Sequence, residues 1–287
     1  MAVYKRGYQR YVGPRTKHWE RLMVMPRFSW QRLIGQKVTI VALAVSMVWP
    51  LMCAAFIYVA NHAELWQGLG GGGMSKFLEI DGRFFEVFMN AQAVFATILA
   101  AIAGPGLIAP DLTNNALPLY FSRPLTRGDY ILSRLIVLLG MLSLVTLVPG
   151  LLLFVMQVGL AGWGWLSGHW VYAWGVFGGF TLWIGLVSLV AMACSAYVKW
   201  RVIAGALVLG VFSVLAGAAS MINLVFRVDW GRAINPAMAM NQIWRTMMAM
   251  EPLNGPSALE CAIAMGLMGA VLLAALSRKL RPVEVVK

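Results

Sequence analysis

The sequence predicts an all-α polytopic membrane protein with six transmembrane helices and both termini in the cytoplasm. Three observations predict it. Hydrophobic residues make up 60% of the 287 positions and charged residues only 12%, about half the charged share of a soluble domain. Long intervals contain no Asp, Glu, Lys or Arg at all. The basic residues gather on alternate sides of those intervals. The expected division is a cytoplasmic leader over 1–39 with an interfacial helix, a six-helix transmembrane domain over 40–277, and a cytoplasmic tail over 278–287.

A helix needs roughly 20 apolar residues, at about 1.5 Å each, to cross the hydrocarbon of a bilayer. Charge-free intervals run over 38–63, 87–110, 135–198, 202–226 and 261–277. The third is too long for one crossing. It breaks between Gly159 and His169, where Gly162, Gly164 and Gly168 read as a turn. The predicted spans are therefore 40–59, 91–109, 136–158, 173–197, 202–223 and 262–276. No room remains for a large soluble domain.

Charge placement orients these spans. With the first residues inside, the inner segments hold 18 of the 23 Lys and Arg, and the outer segments keep Lys76, Arg83, Arg227, Arg232 and Arg245. Acidic residues divide the other way, four inside and seven outside. This is the positive-inside bias. The net charge of +12 thus reads as topology and attraction to anionic lipid headgroups, and no nucleic-acid partner is expected. Cys53, Cys194 and Cys261 fall within spans at spacings that match neither a metal site nor a redox pair. They read as small packing residues. The long basic leader and full-length first span do not resemble a cleaved signal peptide.

Element by element, Pro26 opens an amphipathic stretch in which Trp30, Leu33 and Ile34 share a helical face beside Arg27, Arg32 and Lys37. Such a helix either lies at the membrane surface or simply fixes topology. Pro50 is expected to kink span one. The outer loop after it carries the run Gly68 to Gly73, interrupted only by Leu69, which lacks the Gly-Lys-Ser/Thr ending of a phosphate loop and reads as a hinge. Its carboxylates Glu64, Glu79, Asp81 and Glu86 match no cation-binding loop.

Gly104, Pro105, Gly106 and Pro110 should bend or unwind the inner end of span two. Thr126 to Asp129 reads as a capping box opening the third span's helix. Trp163, Trp165, Trp170, Tyr172 and Trp174 form an aromatic belt at the outer headgroup level. In span four, Gly175 and Gly179 permit close helix packing. Lys199, Trp200 and Arg201 make a very tight inner hairpin, and the outer segment 224–258, Met-rich with a turn at Asn235-Pro236, is expected to form short helices dipping into the outer leaflet.

The chemistry is notable for what is missing. No predicted span interior holds an ionisable side chain other than cysteine, whereas ion-coupled transporters generally need them. There is no Walker A motif, no zinc-binding His motif and no nucleophile elbow. The chain is not expected to be an enzyme, and any uphill transport must draw energy from a partner.

The informative segment is the inner loop between spans two and three, 108–134. Leu117, Tyr120 and Phe121 recur at helical spacing, Asn114 is placed to cap the start, Pro118 is tolerated in a first turn, and Arg123-Pro124 should end the helix. The result is a short amphipathic helix flanked by Asp111, Arg123 and Arg127, with an apolar stripe suited to docking.

Here the sequence resembles the membrane subunit of type-2 ATP-binding-cassette (ABC) transporters, mostly exporters. That family carries an acidic residue after span two, a Ser-Arg-Pro-x-x-Arg motif before span three, and a glycine-lysine pair beginning that span. This chain has Asp111, then Ser122-Arg123-Pro124-Leu125-Thr126-Arg127, then Ser133-Arg134. It departs in having Asp for the commoner Glu, Asn115 where glycine is frequent, and Ser-Arg for Gly-Lys. The leader around Tyr8 to Pro14 is similar to leaders of some bacterial members, and the six-span layout agrees. The resemblance implies a coupling helix seated in a separate ATP-binding subunit, anchored by Leu117, Tyr120 and Phe121, with Pro124 part of the coupling segment, and latched to the partner or to the leader helix by Asp111, Arg123 and Arg127. It implies a second permease copy or a homologous permease as partner, and an inner-membrane location. ATP and magnesium would be held by the partner, and no cofactor by this chain. The competing expectation is a non-transporting membrane scaffold of an envelope or regulatory complex.

Overall fold

The computed structural model describes residues 18–62, 79–121 and 126–280. The leader before His18, the glycine run of the first outer loop, the Ser122–Leu125 stretch and the last seven residues lie outside them. Among the described residues every regular element is a helix.

The elements in order are α1 (His18–Ile34), α2 (Lys37–Asn61), α3 (Gly82–Ala103), α4 (Pro105–Thr113), α5 (Leu117–Phe121), α6 (Arg127–Val145), α7 (Leu147–Ala161), α8 (Trp163–Tyr197) and α9 (Arg201–Phe226). A 3-10 turn at Trp230–Ala233, then α10 (Pro236–Met247) and α11 (Ala258–Lys279) complete the chain. Two pairs stack end to end, α3 on α4 and α6 on α7, so six long apolar helices are able to cross a bilayer: Lys37–Asn61, Gly82–Thr113, Arg127–Ala161, Trp163–Tyr197, Arg201–Phe226 and Ala258–Lys279. The expected number of spans is observed, and each helix is longer than the span the sequence predicts.

The second and fourth of these form the centre. Phe85, Phe88, Ala96, Ala100, Val187 and Ala191 are fully buried between them and their neighbours. The first, fifth and sixth turn most of their surface outward. The exposed apolar side chains there, such as Leu51, Val202 and Val271, are of the kind that a bilayer solvates without cost.

The break expected over Gly159–His169 contracts to one residue. Gly162 has φ +84°, a left-handed conformation that only glycine adopts freely, and α7 and α8 meet there directly. Consequently α8 is 35 residues long, about 52 Å, well beyond the roughly 30 Å of bilayer hydrocarbon. Its first turns carry the tryptophans. Trp163, Trp170 and Trp174 are exposed, as an aromatic belt requires, while Trp165 turns back to stack on His169 at 4.6 Å between ring centroids.

Prolines inside the spans leave carbonyls without their i+4 donor, and the fold repairs them. Pro50 orphans the Ser46 oxygen and Pro149 orphans that of Val145. Gln92, fully buried on α3, donates its amide to both, at 3.0 and 2.6 Å. One side chain of span two thus ties spans one and three at their prolines, and α2 runs through Pro50 as one helix. A similar repair occurs at the inner end of span two. Gly104 keeps helical dihedrals, so the chain does not unwind there. Instead Ser195 of α8 enters the ladder: its Oγ accepts from the Ala109 amide at 3.0 Å and donates to the Pro105 carbonyl at 3.4 Å.

The glycines of α8 do provide close packing, against the α10 region and, at Gly179, also against Met89 of α3. A Cβ added at Gly175 would overlap the Met248 side chain, and one at Gly179 would sit 2.5 Å from Trp244. Trp244 is buried, its ring 6.2 Å from Phe180 and 6.1 Å from Trp183. The helix expected in the long outer segment is therefore wedged into the bundle.

Candidate functional site

The corner where α4, α5 and α6 meet holds the described residues of the loop motif. It begins at the end of α4, where Asn114 acts as the helix's C-terminal cap rather than as the start of α5. Asn115 follows with φ +49°. Asparagine tolerates this left-handed region better than other non-glycine residues, which accounts for an asparagine at a position that otherwise suits glycine. The Ala116 amide then reaches back to the Asp111 carbonyl at 2.8 Å, and α5 begins one residue later with Pro118 in its first turn, where the missing N–H costs nothing.

α5 has one turn and two faces. Leu117 is buried and joins the main core. The Tyr120 ring lies 5.9 Å from that of Tyr130 on α6. These two side chains hold the helix on its own bundle. The large apolar side chain left outward is Leu119, 71% exposed. Arg123 and Pro124 lie outside the described residues, as does the Phe121 side chain. Arg127 stands exposed at the first position of α6.

The capping box is formed as the sequence predicts. The Asp129 amide donates to Thr126 Oγ1 at 3.2 Å, and Asp129 Oδ2 accepts from the Thr126 amide at 2.9 Å. Both satisfy orphan donors of the first turn. The start of α6 is fixed in this way, and with it the direction of Tyr130 and Arg134.

Asp111 is turned inward. Its Oδ2 lies 2.5 Å from Arg134 Nη2 and accepts from the Tyr130 hydroxyl at 2.8 Å. The Arg134 guanidinium also sits over the Tyr130 ring, 5.2 Å from its centre. Its Nη1 donates to Ser29 Oγ on α1. Asp111, Ser29 and Arg134 are all buried. An aspartate on span two, an arginine on span three and a serine on the leader helix are thereby joined in one network. Replacing such a pair by apolar side chains is often neutral, but removing one partner strands a buried charge at a cost of about 3–5 kcal/mol.

The leader helix is held by more than Ser29. Leu22 and Leu33 are buried, and Trp30 fills the space over Gly140, where a Cβ would come within 2.9 Å of its ring. The face turned away carries Trp19, Val24 and Phe28 with Arg27 and Arg32. Of the face expected from spacing, Trp30 and Leu33 pack inward while Ile34 lies exposed. Arg201, in the tight hairpin after α8, donates to Gln36 Oε1 at 3.0 Å and so fastens the same corner from the other side.

Charged groups thus do enter the long helices, although only near their ends. A second pair lies at the opposite end of span two. Glu86 accepts from Arg245 Nη1 through both carboxylate oxygens, at 3.1 and 3.0 Å, and Arg245 Nε donates to the Glu251 carbonyl at 2.8 Å. On sequence alone Glu86 reads only as part of an acidic outer surface, and nothing in the local pattern pairs it with a residue 159 positions away. Among the described residues no group of three or more His, Cys, Asp or Glu assembles as a metal site, and the three cysteines are free and buried.

No protein-family model matches the chain, and no curated protein matches it in sequence. The fold carries the assignment: by helix length and hydropathy this is a multi-pass membrane protein, and every regular element among its described residues is a helix.

Proposed function

We propose that the chain is the transmembrane permease subunit of an ATP-driven ABC exporter in the inner membrane. It works with a second permease, identical or homologous, and is energised by a separate ATP-binding subunit that holds ATP and magnesium. The observation that carries this reading is the corner at α5: a single exposed helical turn, presenting Leu119, mounted on the end of the most buried span and braced by the Asp111–Arg134 pair.

A coupling element must be small, stiff and rigidly attached to what it moves. α5 meets the first need by being one turn long. The brace meets the others. A push on Leu119 reaches α4 directly, and through Asp111 and Arg134 it reaches α6 and Ser29 of α1. Spans two and three and the leader helix then move together, while Ser195 carries the displacement of α4 to the long α8. Leu117 and Tyr120 keep the turn seated on the bundle. Arg127, exposed beside it, supplies charge to the docking face.

The test is purification in mild detergent from cells that express the chain from its own genomic neighbourhood. An ATPase subunit with Walker motifs is expected to co-purify in stoichiometric amount, and Leu119→Asp is expected to lose it while remaining monodisperse. A chain that purifies in a defined complex without any nucleotide-binding subunit supports the scaffold reading and overturns this one.

A further inference from the structure

The Glu86–Arg245 pair does not sit in a packed core. It borders a cavity of about 700 Å³ between α2, the outer half of α3 and the end of α10, within the range of pockets that hold small organic ligands. Arg83, Glu86, Asn90 and Arg245 supply its polar side, and Trp49, Val87 and Met250 its apolar wall.

The polar groups are unevenly committed. Glu86 is engaged by Arg245 through both oxygens. Arg245 spends Nη1 on Glu86 and Nε on the Glu251 carbonyl, which leaves Nη2 with no partner among the described residues. Arg83 forms no ion pair among them either. The cavity therefore holds two guanidinium groups against one carboxylate, and the spare donors are cationic. Arginine donors of this kind favour phosphate and carboxylate oxygens.

The positions add a second constraint. Arg83 is the second residue of α3 and Asn90 the ninth, so the polar side extends about 10 Å down the helix. Asn90 is exposed in a stripe otherwise formed by Val87, Val94 and Ile98. Asn90 donates to the Glu86 carbonyl at 2.9 Å, and a polar side chain within such an apolar stripe marks a place where function is exercised. A charged mouth leading to an apolar wall fits a molecule with the same two ends.

We propose that this cavity binds an anionic amphiphile, with its phosphate or carboxylate head between Arg83 and Arg245 and an acyl chain along Val87 and Trp49. The site is independent of the coupling role proposed for the inner corner.

Native mass spectrometry of the detergent-purified full chain, titrated with dioleoyl phosphatidic acid, dioleoyl phosphatidylcholine or inorganic phosphate, tests it. One phosphatidic acid is expected to be retained about tenfold more tightly than phosphatidylcholine, the effect of one charge-assisted hydrogen bond. Arg83→Gln, at an exposed residue without an ion pair, is expected to remove that preference while leaving the fold intact. Ala91→Trp is expected to fill the cavity and abolish retention. Equal retention of the two lipids, or unchanged selectivity in Arg83→Gln, would identify ordinary surface lipid and overturn the proposal. Displacement of phosphatidic acid by equimolar inorganic phosphate would overturn the amphiphile and leave a site for a free anion.

Discussion

Arg134 on α6 and Asp111 on α4 close a buried ion pair at 2.5 Å across the loop that joins spans two and three. The loop's ends are thus clamped, whatever its middle does. Asp111→Ala leaves the guanidinium buried without a counter-charge, beside only the Ser29 hydroxyl and Tyr130, and the expected loss is about 3 kcal/mol or more. The combined Asp111→Leu and Arg134→Met replacement removes both charges and is expected to recover most of it. Thermal unfolding of the detergent-purified protein measures both. A double variant no better than the single one would mean that the pair is not the source of the cost.

Gln92 makes a sharper prediction, because its partners are defined by two prolines. Gln92→Leu strands the carbonyls of Ser46 and Val145 and is expected to cost about 1–3 kcal/mol in total. Adding Pro50→Ala restores an N–H at the position that the Ser46 carbonyl lacks. That second change is expected to return part of the loss in the Gln92→Leu background and much less in the wild type. Equal effects in both backgrounds would contradict the repair.

The seat of α10 depends on the absence of side chains at two glycines. Gly175→Leu drives a side chain into Met248, which a packed interface resists by about 1–3 kcal/mol. Faster amide hydrogen exchange over 236–247, with the inner helices unchanged, is the expected signature of a lifted α10. Unchanged exchange there would place α10 elsewhere.

The features of this fold differ in how far the sequence discloses them. The six crossings are visible because charge cannot be hidden in lipid, so intervals without charge mark spans. The capping box at Thr126 and the hairpin at Trp200 are visible because both are made by neighbours along the chain. Gly162 shows where local reading loses precision: several closely spaced glycines suggest a loop, yet one positive φ suffices for the turn. The pairings are another matter. Asp111 and Arg134 stand out as charges near span ends, but only packing brings them together with Tyr130 and Ser29. Gln92 looks like an isolated polar residue, and its meaning appears only when two prolines from other helices lie beside it. Leu119 is hidden in the sequence among three better-spaced apolar neighbours, two of which the bundle takes for itself.

For the proposed coupling, α5 must face the compartment where ATP is hydrolysed. Leu119→Cys places a thiol on the exposed turn, against a background of three buried cysteines, and Ser167→Cys places one on the outer first turns of α8. A membrane-impermeant maleimide is expected to label position 167 in intact cells and position 119 only in inverted vesicles. Labelling of position 119 from outside the cell would contradict both the orientation of the chain and the role proposed for that turn.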